Sequence, residues 1–175
     1  FSKLFNQKAS HEPSGQHVLN EEYYDRIEAI QYTMNHDDGN LLVDVEKSDI
    51  ILLGVSRTSK TPTSIYLANR GYKTVNIPLV LDQKIPENLK SNNTSCIIGL
   101  VADPERLSDI RRNRVAIMKD QKLKEYTDLD SIKKEVEDSR KLFKKNNWPV
   151  IDVTRRSVEE TAASILKIID IKRNK

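Results

Sequence analysis

At 175 residues the chain is long enough for one domain with a full hydrophobic core. Apolar residues make up 37% and charged residues 31%, and no run approaches the roughly 20 apolar residues of a membrane span. The net charge of +3, with bases and acids interleaved, argues against a nucleic-acid partner, and a single cysteine, Cys96, allows no disulfide within the chain and fits a reducing, cytoplasmic compartment.

Residues 1–18 contain Pro13, Ser14 and Gly15 and show little periodicity, so they read as a connecting arm, with 19–175 as the domain proper. His11 and His17 fall in this arm at a spacing that matches no metal pattern. The chain begins FSKLFNQK, without an initiator Met or a signal pattern, and reads as a piece of a longer protein. From Asn20, a plausible N-cap, the residues Tyr23, Ile27, Ile30 and Met34 recur at helical spacing as far as a stop at Gly39. This helix ends in His36, Asp37, Asp38 and Gly39. A histidine and two carboxylates at a helix end can orient a hydroxyl, hold magnesium or accept a proton; Asp-Asp-Gly is equally well suited to a tight turn.

The stretch Asp49 to Pro62, DIILLGVSRTSKTP, is the most informative. Ile50 to Leu53 suit a strand buried on both faces, and Gly54 to Thr61 have the spacing G-x-x-x-x-S-K-T, a Walker A phosphate loop with Ser59 where the second glycine normally stands. Such a loop aims backbone N–H groups and a helix N-terminus at an anion. Lys60 adds a point charge, Arg57 a second, and the Thr61 hydroxyl reaches a magnesium ion. Without the glycine, the same residues also fit a polar turn into a helix; the strand before the loop and Ile65, Leu67 and Ala68 after it supply the context a phosphate loop requires.

The following helix carries Pro62 in its first turn and stops at Gly71. Tyr72 to Ile77 reads as a second strand closed by Pro78, Pro86 to Leu89 as a helical turn, and Thr94 to Val101 as a third, fully buried strand. Asp103 lies at the C-terminal end of that strand, on the edge where open α/β sheets bind ligands. It is a candidate magnesium-side acid, or else the N-cap of a helix opened by Pro104. That helix carries Arg111, Arg112 and Arg114, either a solvated face or a cluster lying over phosphates. A long helix from Ile132 to Lys145 follows, then a fourth strand, Trp148 to Val153, and a last helix opened by a capping box of Ser157 and Glu160. Alternating strands and helices of this kind predict an α/β fold: a P-loop kinase-like parallel sheet of four to five strands, covered by helices on both faces and preceded by an N-terminal helix.

Four stretches, YYDRIEAIQYTMNHDDG, DIILLGVSRTSKTPTSIYLANRGYKTVNIPLV, GLVADPERLSDIRRNR and WPVIDVTRRSVEETAASIL, together resemble the bacterial pyruvate, phosphate dikinase and phosphoenolpyruvate synthase regulatory proteins. The loop GVSRTSKTP, with its serine, is that family's form of the phosphate loop. The resemblance implies a bifunctional enzyme acting on one of those two target proteins. It transfers the β-phosphoryl group of ADP to a threonine, and in the opposite direction uses inorganic phosphate to remove it as pyrophosphate. It further implies that 19–175 is the P-loop nucleotide-binding catalytic domain, lacking an N-terminal domain of the full-length protein, and that a homodimer is compatible with the family. By this resemblance Gly54, Val55, Ser56, Arg57, Thr58, Ser59, Lys60 and Thr61 bind the phosphates of ADP or inorganic phosphate. Lys60, Asp37, Asp38 and His36 are the catalytic candidates, and Thr61 with Asp103 the magnesium candidates. By analogy with nucleoside-monophosphate-kinase-like folds, adenine falls near Thr154 to Arg156. Two other readings stay open: a small-molecule kinase of the same architecture, and a nucleotide-binding module without catalysis.

Overall fold

Four short apolar runs pair in parallel at the centre of the molecule, in a computed structural model that describes residues 20–39, 44–80, 84–118 and 124–174. The strands β1 (Ile50–Gly54), β2 (Thr74–Pro78), β3 (Cys96–Val101) and β4 (Val150–Asp152) stand in the order β2-β1-β3-β4. Ile51 lies level with Val75 on one side and Ile97 on the other, and β4 joins at the far end of β3, where Leu100 faces Ile151. Every residue of β1 and β3 is buried, so these strands are continuously apolar in sequence instead of alternating.

The helices are α1 (Glu21–Asn35), α2 (Lys60–Ala68), α3 (Glu87–Lys90), α4 (Pro104–Met118), α5 (Lys124–Thr127), α6 (Leu129–Lys145) and α7 (Val158–Arg173). On one face of the sheet, Ile50, Leu52, Ile98 and Leu100 pack with Leu67 of α2 and with Ala162, Ile165 and Ile169 of α7. On the other, Ile51, Leu53, Val75 and Ile97 pack with Leu89 of α3 and Phe143 of α6. Gly99 makes room for that last contact: a methyl group there would come within 2.5 Å of the Phe143 ring.

The expected α/β architecture is therefore present, with four strands among the described residues and helices on both faces. Two helix starts were legible residue by residue. The Asn20 side chain accepts from the N–H of Tyr23, and Ser157 and Glu160 form a full capping box on α7. Elsewhere the structure departs from the sequence pattern. Tyr23, Ile27 and Met34 of α1 are exposed, and the buried side is Ala29 and Thr33, followed by His36 beyond the helix end. The reason is polar: the Thr33 hydroxyl accepts from the N–H of Thr74 at 3.0 Å, which fixes the turned-in face of α1 against the start of β2. Arg111 is fully buried, not part of a solvated face, and the short helix α5 carried no recognisable signal. The arm 1–18, with His11 and His17, lies outside the described residues.

Gly99→Ala drives a methyl group into the Phe143 ring and is expected to cost about 1–3 kcal/mol, in the range of core overpacking. Urea denaturation of the variant should show a lower midpoint at unchanged slope; a midpoint equal to that of the parent would show that Phe143 is free to move aside.

Candidate functional site

Gly54 to Thr61 join β1, which lies between β2 and β3, to α2 at the C-terminal edge of the sheet. The loop is folded tightly against β3. A Cβ on Gly54 would lie 2.7 Å from both the Leu100 carbonyl oxygen and Thr58 Oγ1, so only glycine fits at its start. Thr58 Oγ1 and Lys60 Nζ both donate to the Val55 carbonyl, each at 2.9 Å, and close the loop on itself. Arg57 and Ser59 have φ of 73° and 58°, the left-handed region that glycine enters most easily. Ser59 thus keeps the backbone shape of the glycine it replaces, and its side chain is exposed, where a β-carbon meets little.

Lys60 is buried, with 5% of its surface exposed. Burial pushes its pKa down to about 8; Arg111 and Arg57 push the same way, and the carboxylates of Asp38 and Asp37 oppose them. An ammonium held this way, near two carboxylates but bonded to a neutral carbonyl, is poised to receive an anion.

The turn after α1 reaches this loop. Asp37 Oδ1 accepts from Thr61 Oγ1 at 3.1 Å and from Asn76 Nδ2 at 2.6 Å, and Asn76 Nδ2 also lies 3.0 Å from Thr61 Oγ1. The His36 carbonyl accepts from the N–H of Asn76, pinning the turn to β2. Asp38 follows in a left-handed conformation (φ 56°) with its side chain exposed. His36 itself is buried; its ring stacks on Tyr32 at 4.0 Å, and Nδ1 lies 2.7 Å from the Tyr32 carbonyl, to which it donates. The cluster at the helix end is therefore more than a turn: it delivers one carboxylate to the hydroxyl of the phosphate loop.

Asp103 stands at the start of α4, where its Oδ1 accepts from the N–H of Arg106 at 3.0 Å and caps the helix. The structure thus brings Asp37, rather than Asp103, to Thr61. In the turn Thr154 to Arg156, Thr154 Oγ1 accepts from the N–H of Asp103 at 2.8 Å and Arg156 donates to Ser164, so β4 and β3 end together.

Three side chains at the site escaped the sequence reading. Asn76 had a faint signal, an amide inside the otherwise apolar strand TVNIP. Glu135 and Tyr126 had none: Arg111 bonds Glu135 at 2.7 Å and donates to the carbonyls of Ser56 and Tyr126, contacts that join residues far apart in the chain. Beside the loop lies a cavity of about 310 Å3, whose lining joins the apolar Val55, Leu79, Ile85 and Leu142 to charged residues that include Lys84 and Glu135. Its apolar lining, beginning one residue from Gly54, can take a flat or aliphatic group.

Among the described residues no group of three or more His, Cys, Asp and Glu side chains could enclose a metal. A magnesium ion that shares its shell with phosphate oxygens and water needs fewer protein ligands, and the oxygen pair Thr61 Oγ1 and Asp37 Oδ1 suits it. Asn76 turns its Nδ2 towards this pair, while its Oδ1 is buried without a hydrogen-bond partner.

A parallel sheet in which an inner strand opens into a lysine-bearing loop on a helix N-terminus, with a carboxylate bonded to the loop's threonine, is an α/β architecture of P-loop-like form. Residues 1–166 match the kinase/pyrophosphorylase family, and the chain belongs to it. It is 66% identical over 175 residues to the Pelagibacter ubique (strain HTCC1062) protein named "Putative pyruvate, phosphate dikinase regulatory protein", a match covering 99% of this chain and 64% of that protein. Proteins of the same name from Chelativorans sp. (strain BNC1) and Caulobacter vibrioides are 50% and 45% identical, with 62% and 55% of their lengths matched. The chain thus spans somewhat less than two thirds of these relatives. Among the described residues no helix is long and apolar enough to cross a membrane.

Two outcomes follow from the loop. Ser59→Gly should stabilise the domain by about 1 kcal/mol, because the left-handed conformation no longer strains a β-carbon, whereas Ser59→Val should lower the thermal midpoint and weaken anion binding. The second concerns pH. Below pH 8 Lys60 is already charged; above it, a bound anion must draw a proton onto the amine, so affinity for inorganic phosphate should fall as pH rises, towards about tenfold per unit. Calorimetry in two buffers of different ionisation enthalpy should show proton uptake at pH 9, and Lys60→Met should abolish that uptake.

Proposed function

We propose that this chain carries the phosphoryl-transfer site of a bifunctional regulator of pyruvate, phosphate dikinase, with phosphoenolpyruvate synthase as the other target the resemblance admits. The forward reaction is ADP-dependent phosphorylation of a target threonine, which inactivates the enzyme. The reverse is phosphate-dependent removal of that group as pyrophosphate, which restores it. The observation that supports this most directly is the bond from Thr61 in the Gly54–Thr61 loop to Asp37 in the HDDG turn, since it joins the proposed nucleotide cradle to the turn that carries Asp37 and Asp38.

In this reading the diphosphate of ADP lies on the backbone N–H groups from Val55 to Thr61 at the N-terminus of α2, and Lys60 and Arg57 offset its charge. Asp38, exposed beside the cradle, accepts the proton of the threonine hydroxyl. As the threonine oxygen bonds to the β-phosphorus, the bond from that phosphorus to the bridging oxygen breaks and AMP leaves. In reverse, an oxygen of inorganic phosphate bonds to the phosphothreonine phosphorus, the bond to the threonine oxygen breaks, pyrophosphate leaves, and Asp38 returns the proton. Asp37 is already engaged by Thr61 and Asn76, which suits it to hold and orient. Thr61 and Asp37 would hold magnesium, which when bound neutralises phosphate charge. His36, stacked on Tyr32, anchors the turn that presents both carboxylates. Adenine at Thr154 to Arg156 remains part of the proposal, with a full-length homodimer in a cytoplasmic setting.

Incubating the full-length protein with the dikinase and ADP labelled on its β-phosphate should place the label on a target threonine; label passing from ATP to a metabolite instead would show a small-molecule kinase. Lys60→Ala should slow both directions by about two to three orders of magnitude, the scale of one lost electrostatic contact to a reacting group. Asp38→Asn should keep nucleotide binding while transfer falls about a hundredfold or more. Nucleotide binding with no transfer in the parent protein would leave a binding module only.

A further inference from the structure

The opening end of the phosphate loop is covered by groups from three helices that the transfer chemistry above does not use. The hydroxyls of Ser56 and Tyr126 lie 3.0 Å apart. Arg111, fully buried, donates through Nη2 to the Ser56 carbonyl at 3.2 Å and through Nη1 to the Tyr126 carbonyl at 3.1 Å, and its guanidinium lies 4.6 Å from the centre of the Tyr126 ring. Glu135 of α6 holds both nitrogens, at 2.7 and 3.2 Å, while Arg111 Nε is buried without a partner. An ion pair of a buried arginine with a half-buried glutamate adds little stability of its own, because desolvation offsets the attraction. Its effect here is positional: it fixes Tyr126 over Ser56.

That position matters because of where Lys60 points. In a phosphate loop the lysine meets the outer phosphates of the chain, and Lys60 Nζ sits on the Val55 carbonyl, immediately before Ser56. A phosphate chain with one more phosphoryl group beyond the position at Lys60 would run towards Ser56 and the Tyr126 hydroxyl. We propose that the Ser56–Tyr126 contact, held by Arg111 and Glu135, sets the length of phosphate chain the loop accepts, admitting two phosphates and closing the space for a third. The inference rests on the diphosphate reading above and deepens it by naming the residues that would make ADP, and not ATP, the fitting donor. It applies equally to pyrophosphate, the product of the reverse reaction.

The test uses calorimetric titration of the full-length protein with pyrophosphate, tripolyphosphate, ADP and ATP, in the parent and in Tyr126→Phe and Ser56→Ala. Tyr126→Phe keeps the ring on Arg111 and removes only the hydroxyl. The parent should prefer pyrophosphate to tripolyphosphate, and each variant should narrow that preference by about five- to tenfold, the scale of one neutral hydrogen bond, through tighter binding of the longer chain. An unchanged ratio, or equal weakening of both ligands, would overturn the proposal and leave the contact as a loop support. The nucleotide arm separates the two claims: a parent that binds ADP and ATP alike while preferring pyrophosphate to tripolyphosphate removes the ADP reading and not the contact's role.

Discussion

The constraint on which the rest depends is the burial of one charge. Lys60 stands 5% exposed at the start of α2 with a neutral carbonyl as its hydrogen-bond partner, and burial draws its pKa down to about 8. Keeping an ammonium there is costly unless something nearby offsets it. The surroundings do so in part: Asp37 and Asp38 favour the charged form, while Arg57 and Arg111 oppose it. The balance leaves a site short of negative charge, which in the proposed function the phosphate of the nucleotide would supply.

Much of the fold can be understood as holding that loop around Lys60. Gly54 lets β1 run against the Leu100 carbonyl so that the loop turns directly off this inner strand. Thr33 fixes α1 on the start of β2, and the His36 carbonyl receives the N–H of Asn76, so the HDDG turn arrives at Thr61 from one side. From the other side Arg111, Glu135 and Tyr126 close on Ser56. Two flanks of the loop are thereby set by hydrogen bonds to different strands and helices; the left-handed residues Arg57 and Ser59 lie between them, and a third, Asp38, in the HDDG turn itself. Strained backbone gathered at one place, over-determined by its surroundings, is the usual condition of a site that binds or reacts.

The architecture was legible because buried parallel strands leave a signature that survives without tertiary information. Ile50 to Leu53 and Cys96 to Val101 are apolar without alternation since both faces are covered. Caps at Asn20 and Ser157 were legible for a related reason: their hydrogen bonds join residues three apart. The reading of α1 failed because an apolar stripe marks an inward face only when hydrophobic burial alone decides, and here the Thr33 hydroxyl decided. Arg111 stayed open between a solvated face and a place over phosphates, since a charged side chain gives no sign of burial until its carboxylate partner, 24 positions away, is known.

By itself the sequence determined the parallel α/β layout, the Gly54–Thr61 loop between strand and helix, with its lysine and its hydroxyl, and the family, because these rest on short-range periodicity and on spacing within a few residues. Only the tertiary structure decided which carboxylate meets the loop, that Asn76 stands between Asp37 and Thr61, that Asp103 caps a helix, and that Tyr126 lies over Ser56. Each of those is a contact between residues distant in the chain, formed where separate elements end at one edge of the sheet, and nothing in local composition encodes which of them will meet.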